Sequence, residues 1–263
     1  MHIIVPIKQV PDPESGAATI DPETGTLRRE GASIVNPFDM NAIEEALRIK
    51  ERIPDVTTTV ITMGPPQADK ALRLALAMGI DNAYLICDAA FAGSDTWATG
   101  YSLSSAIRYI GNFDLVICGK QAIDGDTAQV GPGIAAMLGI PHISSVRKIE
   151  EIGNDKIVVE RLMEDGYDVL SMDIPCLITV VKEINEPRLE SLKGKLRAKK
   201  AEIPTLKADD LNLSRDDIGQ NGSPTKVIRI FTPPKREGGE ILKGEVEEVV
   251  PALAQKLLEL KIF

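Results

Sequence analysis

Four short apolar runs, each leading into a helical stretch, govern what the first 140 residues can become. The runs are residues 2–8, 56–63, 83–87 and 115–118, and the stretches after them are residues 39–52, 67–78, 95–109 and 130–138. In the first helical stretch Ile43, Ala46 and Leu47 recur at helical spacing, and Gly79 is placed to end the second. Strands that are apolar throughout, alternating with amphipathic helices, predict a parallel sheet covered on both faces. Between the first run and the first helix lies a polar excursion, residues 12–30, whose Asp21-Pro-Glu-Thr-Gly25 turn signal predicts a small hairpin or exposed loop. Asn36-Pro37 breaks the chain just before the first helix.

From Ile143 the pattern changes. Residues 145–151, 156–163 and 166–172 alternate as β-ribbons joined by turn sequences, and residues 175–181 are apolar enough to return to the sheet. Beyond Asn185 the core-forming runs stop: residues 186–240 hold many Pro, Lys, Asp and Gly. Such a stretch is either disordered or wrapped around a partner, and its short patches at 211–213 and 227–231 favour wrapping. A last helix over residues 243–260 puts Val246, Val249, Val250, Leu253 and Leu257 on one face and is expected to dock. The expected division is an α/β domain over residues 1–185 and an extended arm with a terminal helix over 186–263.

Composition removes several classes of function. A net charge of −9 opposes general nucleic-acid binding, because phosphate contacts need a basic surface. No apolar run reaches the roughly 18–20 residues of a membrane span, and the chain starts on a strand rather than a signal peptide. A cytoplasmic protein is expected. The three cysteines, Cys87, Cys118 and Cys176, are far apart in or beside apolar runs and read as buried thiols. With two histidines, His2 and His142, and no C-x-x-C spacing, neither a zinc site nor an iron–sulfur site is expected.

The stretch Gly119-Lys-Gln-Ala-Ile-Asp-Gly-Asp-Thr-Ala-Gln-Val130 leaves the fourth strand and opens a small-residue helix. Loops in that position are where open α/β sheets bind nucleotides. It carries amides, hydroxyls and backbone N–H groups rather than a nucleophile–base pair, which suits holding a cofactor. It is neither a Walker loop nor a G-x-G-x-x-G fingerprint. An ordinary strand-to-helix turn has the same composition, and pattern alone leaves both readings open. Main-chain groups at Pro6 and Met63 could bracket an adenine edge, and Asn36 could bond a ribose or cap the following helix. The N–H groups of Thr127, Gln129 and Val130 are placed to meet a phosphate, while Asp124 and Asp126 would repel one and so fix the loop or accept from sugar hydroxyls. Gly93-Ser-Asp95-Thr96 reads as a helix cap and phosphate seat, with Thr99 one turn on. The alternative is a plain cap, with Trp97 packed on the sheet.

Four motifs in order, Val5-Pro-Ile-Lys-Gln-Val10, Asn36-Pro-Phe-Asp39, Gly119 to Asp126 with Gln129, and Asn185-Glu-Pro-Arg188, resemble the beta (small) subunit of electron transfer flavoprotein, including its FixA-type relatives. The resemblance covers essentially the whole chain. It implies an adenine nucleotide alpha-hydrolase-like, three-layer α/β/α domain with β-ribbon additions and a long C-terminal arm embracing an alpha subunit. It also implies bound AMP or a second FAD, held by Pro6, Asn36, Pro37, Phe38, Asp39, Met63, Gly119, Lys120, Gln121, Ala122, Ile123, Asp124, Gly125, Asp126, Thr127, Ala128, Gln129 and Val130. Pro6 and Met63 depart from the family's commoner small residues, so contacts there would be through backbone or van der Waals surface.

Residues 88–101 further resemble the D-x-x-F-x-G-x-D-T-x-A-T pattern of electron-bifurcating members, which favours FAD and adds Asp95, Thr96 and Thr99 to the site. The function implied is a heterodimer subunit that binds FAD and accepts hydride from NADH. One electron would pass to ferredoxin or flavodoxin. The other would pass through an alpha-subunit FAD to a dehydrogenase such as an acyl-CoA dehydrogenase. No side chain is required as nucleophile or general acid. The resemblance also makes residues 186–200 a recognition loop for the dehydrogenase, with Leu192 as an apolar plug among Arg188, Lys193, Lys195 and Arg197. A conventional electron carrier with structural AMP, and a non-redox nucleotide-binding module, are the alternatives.

Overall fold

The apolar runs assemble around β1 (His2–Pro6), the centre of a large sheet. The computed structural model describes residues 1–15, 18–20, 27–29, 32–228 and 239–262. Residues 1–229 form one compact unit and 230–263 a second. In the first unit, β1 pairs in parallel with β6 (Thr57–Met63) on one side and β8 (Leu115–Gly119) on the other. Outward from β6 lie β7 (Asn82–Ile86) and the short β13 (Thr205–Leu206), also parallel. Outward from β8 lie β12 (Cys176–Val180) and β9 (His142–Ile152), again parallel. The antiparallel ribbon of β10 (Lys156–Leu162) and β11 (Tyr167–Asp173) extends that edge to nine strands.

Side-chain alternation on each strand divides the core in two. Ile3 and Val5 of β1, Leu115 and Ile117 of β8, and Ile178 and Val180 of β12 face one layer of helices. That layer holds α1 (Pro37–Arg52), α2 (Asp69–Met78) and Ala198 of α5 (Leu192–Lys200). Ile4, Val116 and Leu177 face the other way, onto α3 (Thr96–Ile110) and α4 (Val130–Leu138). The result is a three-layer α/β/α fold with a mostly parallel sheet, as the alternating runs predict.

Local chemistry sets the boundaries. Pro37 is the first residue of α1 rather than a break before it, because the N–H that proline lacks has no intrahelical acceptor in a first turn. The expected 67–78 helix starts as a 3₁₀ turn, Pro66–Ala68, before α2 takes over, and Gly79 ends it at φ +137°. The polar excursion contains a small ladder of β3 (Ala18–Ile20) with β4 (Leu27–Arg29) and is flanked by another, β2 (Gln9–Pro11) with β5 (Ser33–Val35). The turn expected at 21–25 lies outside the described residues.

The stretch after Asn185, expected to be disordered or wrapped around a partner, folds back on its own domain as far as residue 228. α5 packs beside α2, where Arg197 donates to the carbonyls of Leu76 (2.5 Å) and Ile80 (2.9 Å). β13 then joins the sheet, and Leu206, Ala208, Leu211, Leu213 and Ile218 are buried in the second core. The second unit contains α6 (Val246–Glu259), with Lys256 ion-paired to Glu240. No helix among the described residues is long and apolar enough to cross a membrane.

Candidate functional site

β1 has β6 and then β7 on one side, and the chain returns across the sheet to lay β8 on the other. This reversal of strand order opens a crevice at the carboxyl ends of β1 and β8, the usual ligand position in such sheets. A cleft of about 1080 Å³ lies there, lined by Pro6, Met63, Cys87 and Gly119 at four successive strand ends.

Glycine is required where the floor is tightest. A Cβ on Gly119 would stand 2.7 Å from the carbonyl carbon of Phe38 and closer still to the Asp39 carboxyl. One on Gly131 would stand 2.7 Å from Thr179 Cγ2. These glycines let β8 and α4 sit directly on their neighbours, leaving the loop between them to face the cleft.

Asn36 holds that loop. Its side-chain nitrogen donates to the Gln121 carbonyl (2.8 Å), and its side-chain oxygen accepts from the Ile123 N–H (3.1 Å). It makes no side-chain cap on α1, so of the two roles expected for Asn36, ribose contact or helix cap, the cap gives way to a loop brace. Asp124 pairs with Lys8 Nζ at 2.6 Å, and Gln121 donates to Asp126. Both carboxylates therefore fix the loop, although Asp126 also lines the cleft. Asp126 and Ala128 both adopt φ +53°, turning the chain into α4.

Asp39 lies under this loop. Its carboxyl is buried, accepts the Lys8 N–H at 2.7 Å, and has a pKa raised to about 7. Burial is the dominant cause, opposed by hydrogen bonds from Asn36, Lys8 and Gly119 and by the Lys8 charge. Burial also pushes the Cys118 thiol up, aided by Asp39, so that sulfur is an apolar floor group rather than a thiolate.

The two helices that point at the cleft differ at their N-termini. Asp95 caps α3, accepting from the N–H groups of Trp97 (3.0 Å) and Ala98 (3.1 Å). Its other oxygen accepts from Thr225 N–H (2.9 Å) and Oγ1 (2.8 Å). Burial works against this anion, but the four donors outweigh it and hold Asp95 below the usual carboxylate range. The amides expected as a phosphate seat at α3 are thus partly engaged, although Thr96 and Thr99 do line the cleft. Trp97 is 60% exposed and does not pack on the sheet. α4 has no side-chain cap, and its first residues Val130 and Gly131 line the cleft. Its open amides are the better anion seat.

Of the residues singled out in the sequence, Pro6, Asp39, Met63, Asp95, Thr96, Thr99, Gly119, Lys120, Gln121, Ala122 and Gly125 through Val130 line this one cleft. Asn36, Pro37, Phe38, Ile123 and Asp124 stand behind it. Sequence reasoning missed Lys207, Asp209 and Arg215, which reach the cleft from beyond β13. Their signal was the short apolar spacing of Leu206, Ala208, Leu211 and Leu213, which places the polar residues between them on the outer side.

The expected docking residues separate into two groups. Arg188 donates to Glu44 (2.7 Å) and Glu51 (2.5 Å), and these hydrogen bonds raise its pKa, while Arg197 is held on the end of α2. Leu192 is 77% exposed beside exposed Leu189 and Leu196, and Lys195 pairs only with Glu190 at this surface.

A family model for the electron transfer flavoprotein domain matches residues 24–211. An electron transfer flavoprotein subunit beta of Thermoanaerobacterium thermosaccharolyticum is 52% identical, over 98% of each chain. The caffeyl-CoA reductase-Etf complex subunit CarD of Acetobacterium woodii is 49% identical over the full length of both. Protein FixA of Bradyrhizobium diazoefficiens is 44% identical over 96% of this chain and 90% of its own.

Proposed function

Because the chain belongs to the electron transfer flavoprotein family, as a beta subunit of the FixA kind, we propose that it holds FAD in this cleft as half of a bifurcating heterodimer. The observation that carries the reading is the cleft itself. At about 1080 Å³ it sits at the upper end of the roughly 300–1,000 Å³ typical of cofactor sites, and it continues past the α4 loop to Thr96 and Thr99. AMP would occupy the part between Met63 and Val130 and leave the rest open. The relative named for a caffeyl-CoA reductase-Etf complex supports the same direction.

The residues present fit a dinucleotide. The open amides at Val130 and Gly131 suit a phosphate, the Pro6 and Met63 strand ends offer main-chain edges for adenine, and Thr96 hydrogen-bonds Gln129 (3.0 Å), joining the two helix ends into one surface. When bound, the flavin would accept hydride from NADH and release electrons singly, one to ferredoxin or flavodoxin and one to the alpha-subunit FAD. The chain's own work is positional: Asn36 and Lys8 hold the loop, Asp39 and Cys118 are buried in the floor beneath it, and no side chain carries covalent chemistry. The exposed Leu189, Leu192 and Leu196 among lysines form a docking surface for a dehydrogenase with an acidic rim.

The test is the FAD and AMP content of the purified alpha–beta complex after denaturing release. Two FAD per heterodimer is the expected result, followed by NADH oxidation that depends on ferredoxin. One FAD with one AMP would leave a conventional electron carrier.

A further inference from the structure

The outer wall of the cleft comes from the segment after β13, and it is laced to the turn after β7. Cys87 N–H donates to Leu206 (3.0 Å), Gln220 N–H to Ala92 (3.0 Å), and Asp95 N–H to Ser223 Oγ (2.8 Å). Gly219, at φ +59°, lies against the Ala90 carbonyl so closely that a Cβ would collide with it. With Leu211, Leu213 and Ile218 buried beneath, this wall is as fixed as the sheet edge it extends.

Two cations project from the wall into the cleft. Lys207 stands between buried Leu206 and Ala208 on an extended chain, so its side chain takes the opposite side, and it makes no ion pair among the described residues. Arg215 bridges Asp88 at 3.3 Å and Asp209 at 3.0 Å. Its side chain is 53% exposed and that of Asp209 81%, so this pair is screened and a better anion can displace it, while the Asp88 side chain, 14% exposed, is the firmer anchor. A lysine without a counter-ion beside an arginine held loosely over a cleft is unusual in a chain of net charge −9.

We propose that Lys207 and Arg215 form a second anion seat, which takes a diphosphate at the end of the cleft remote from α4. Five strand ends separate the two seats, β8, β1, β6, β7 and β13. At roughly 4.8 Å between strands the span is about 19 Å, beyond the reach of a mononucleotide anchored at α4. The guanidinium offers a planar fork matched to two phosphate oxygens, and the ammonium adds a point charge. Asp88 and Asp209 hold the fork in place until the ligand arrives. The inference rests on the FAD reading above. FAD carries a single diphosphate, which the α4 seat takes, so the diphosphate received here is that of NADH visiting the bound flavin.

The variants are Arg215→Gln, Lys207→Gln and the pair together, made in the alpha–beta complex. FAD dissociation constant and the KM for NADH are both measured, with AMP affinity as the control for an intact α4 seat. The double variant should raise the KM for NADH by roughly ten- to a hundredfold while FAD and AMP affinities stay unchanged. A rise in KM alone supports the seat, and a loss of FAD affinity with KM unmoved would overturn its assignment to NADH. Arg215→Lys should recover part of the loss, and Asp209→Asn, which frees the fork, should tighten the same ligand. Two FAD in the parent complex with neither quantity moved in the double variant would overturn the seat alone. A parent complex carrying AMP and indifferent to NADH would overturn the FAD reading together with it.

Discussion

The side-chain amide of Asn36 donates to the Gln121 carbonyl at 2.8 Å, joining residues 85 positions apart. With the return bond from Ile123 N–H, one buried amide fixes the loop that faces the cleft. Replacing Asn36 with Ala removes two part-buried hydrogen bonds, at about 0.5–1.5 kcal/mol for each. Asn36→Ala should lower the urea midpoint of the purified complex and speed cofactor loss on dilution. An unchanged midpoint and unchanged retention would show that the loop holds itself.

Gly119 and Gly125 lie in the same loop and should respond differently to alanine. The new methyl at 119 meets the Phe38 backbone and the Asp39 carboxyl, whereas at 125 nothing lies within 4 Å. Gly119→Ala should cost about 1–3 kcal/mol, the usual range for forced overpacking. Gly125→Ala should melt with the parent. The comparison is a pair of thermal melts, and equal melting temperatures would contradict the contact geometry.

Asp39 gives the fold an inverted pH dependence. Its carboxyl is raised from 3.8 to about 7, so between those values the folded chain holds a proton that the unfolded chain has released. Stability from this group is complete below pH 3.8 and is lost as pH rises through 7, at no more than about 1.4 kcal/mol per pH unit. Asp88 and Asp95, held low by their hydrogen bonds, act in the opposite sense and lose stability as pH falls. Asp39→Asn keeps an acceptor for Lys8 and removes the titration. Its stability relative to the parent should rise between pH 5 and pH 8. A constant difference across denaturation curves in that range would refute the assignment.

Arg188 and Leu192 separate folding from docking. Glu44 is 3% exposed and keeps its charge because Arg188 and Arg48 bond to it. Arg188→Gln leaves the buried Glu44 carboxylate with Arg48 as its remaining cation and should cost up to about 3 kcal/mol, the lower end of the range for breaking such a pair. Leu192 is free of the core, so Leu192→Ala should stay within about 0.5 kcal/mol of the parent in stability. It should nonetheless slow electron transfer to the dehydrogenase. Electron transfer at the parental rate would remove Leu192 from the docking surface.

How much of this was legible in the sequence depended on what each residue had to satisfy. The parallel strands announced themselves because both faces of Ile3–Val5 and Leu115–Ile117 are buried, which forces unbroken apolar runs. The 119–130 loop was legible because it follows such a run and opens a helix. Asn36 was read for its own neighbourhood, since capping is a local interaction, while its true partners lie across the fold. β13 and the wall behind it were illegible for another reason. A two-residue strand has no period, and Leu206, Leu211 and Leu213 gain their meaning only from the sheet edge they cover. Arg188 drew a docking role from the company of lysines, but its nearest carboxylates are on α1.

The wall contributed by Leu206 through Thr225 also sets an order of events in the cell. The Gly119 contact, the loop and the first turn of α4 come from the first 140 residues, Thr179 beneath Gly131 comes later, and the opposite side later still. A ribosome-bound or truncated chain ending before residue 206 would present a half-open groove with its sheet edge at β7 bare. On the reading proposed above, a nicked or prematurely terminated product would lack the wall side of the cleft while keeping the α4 side.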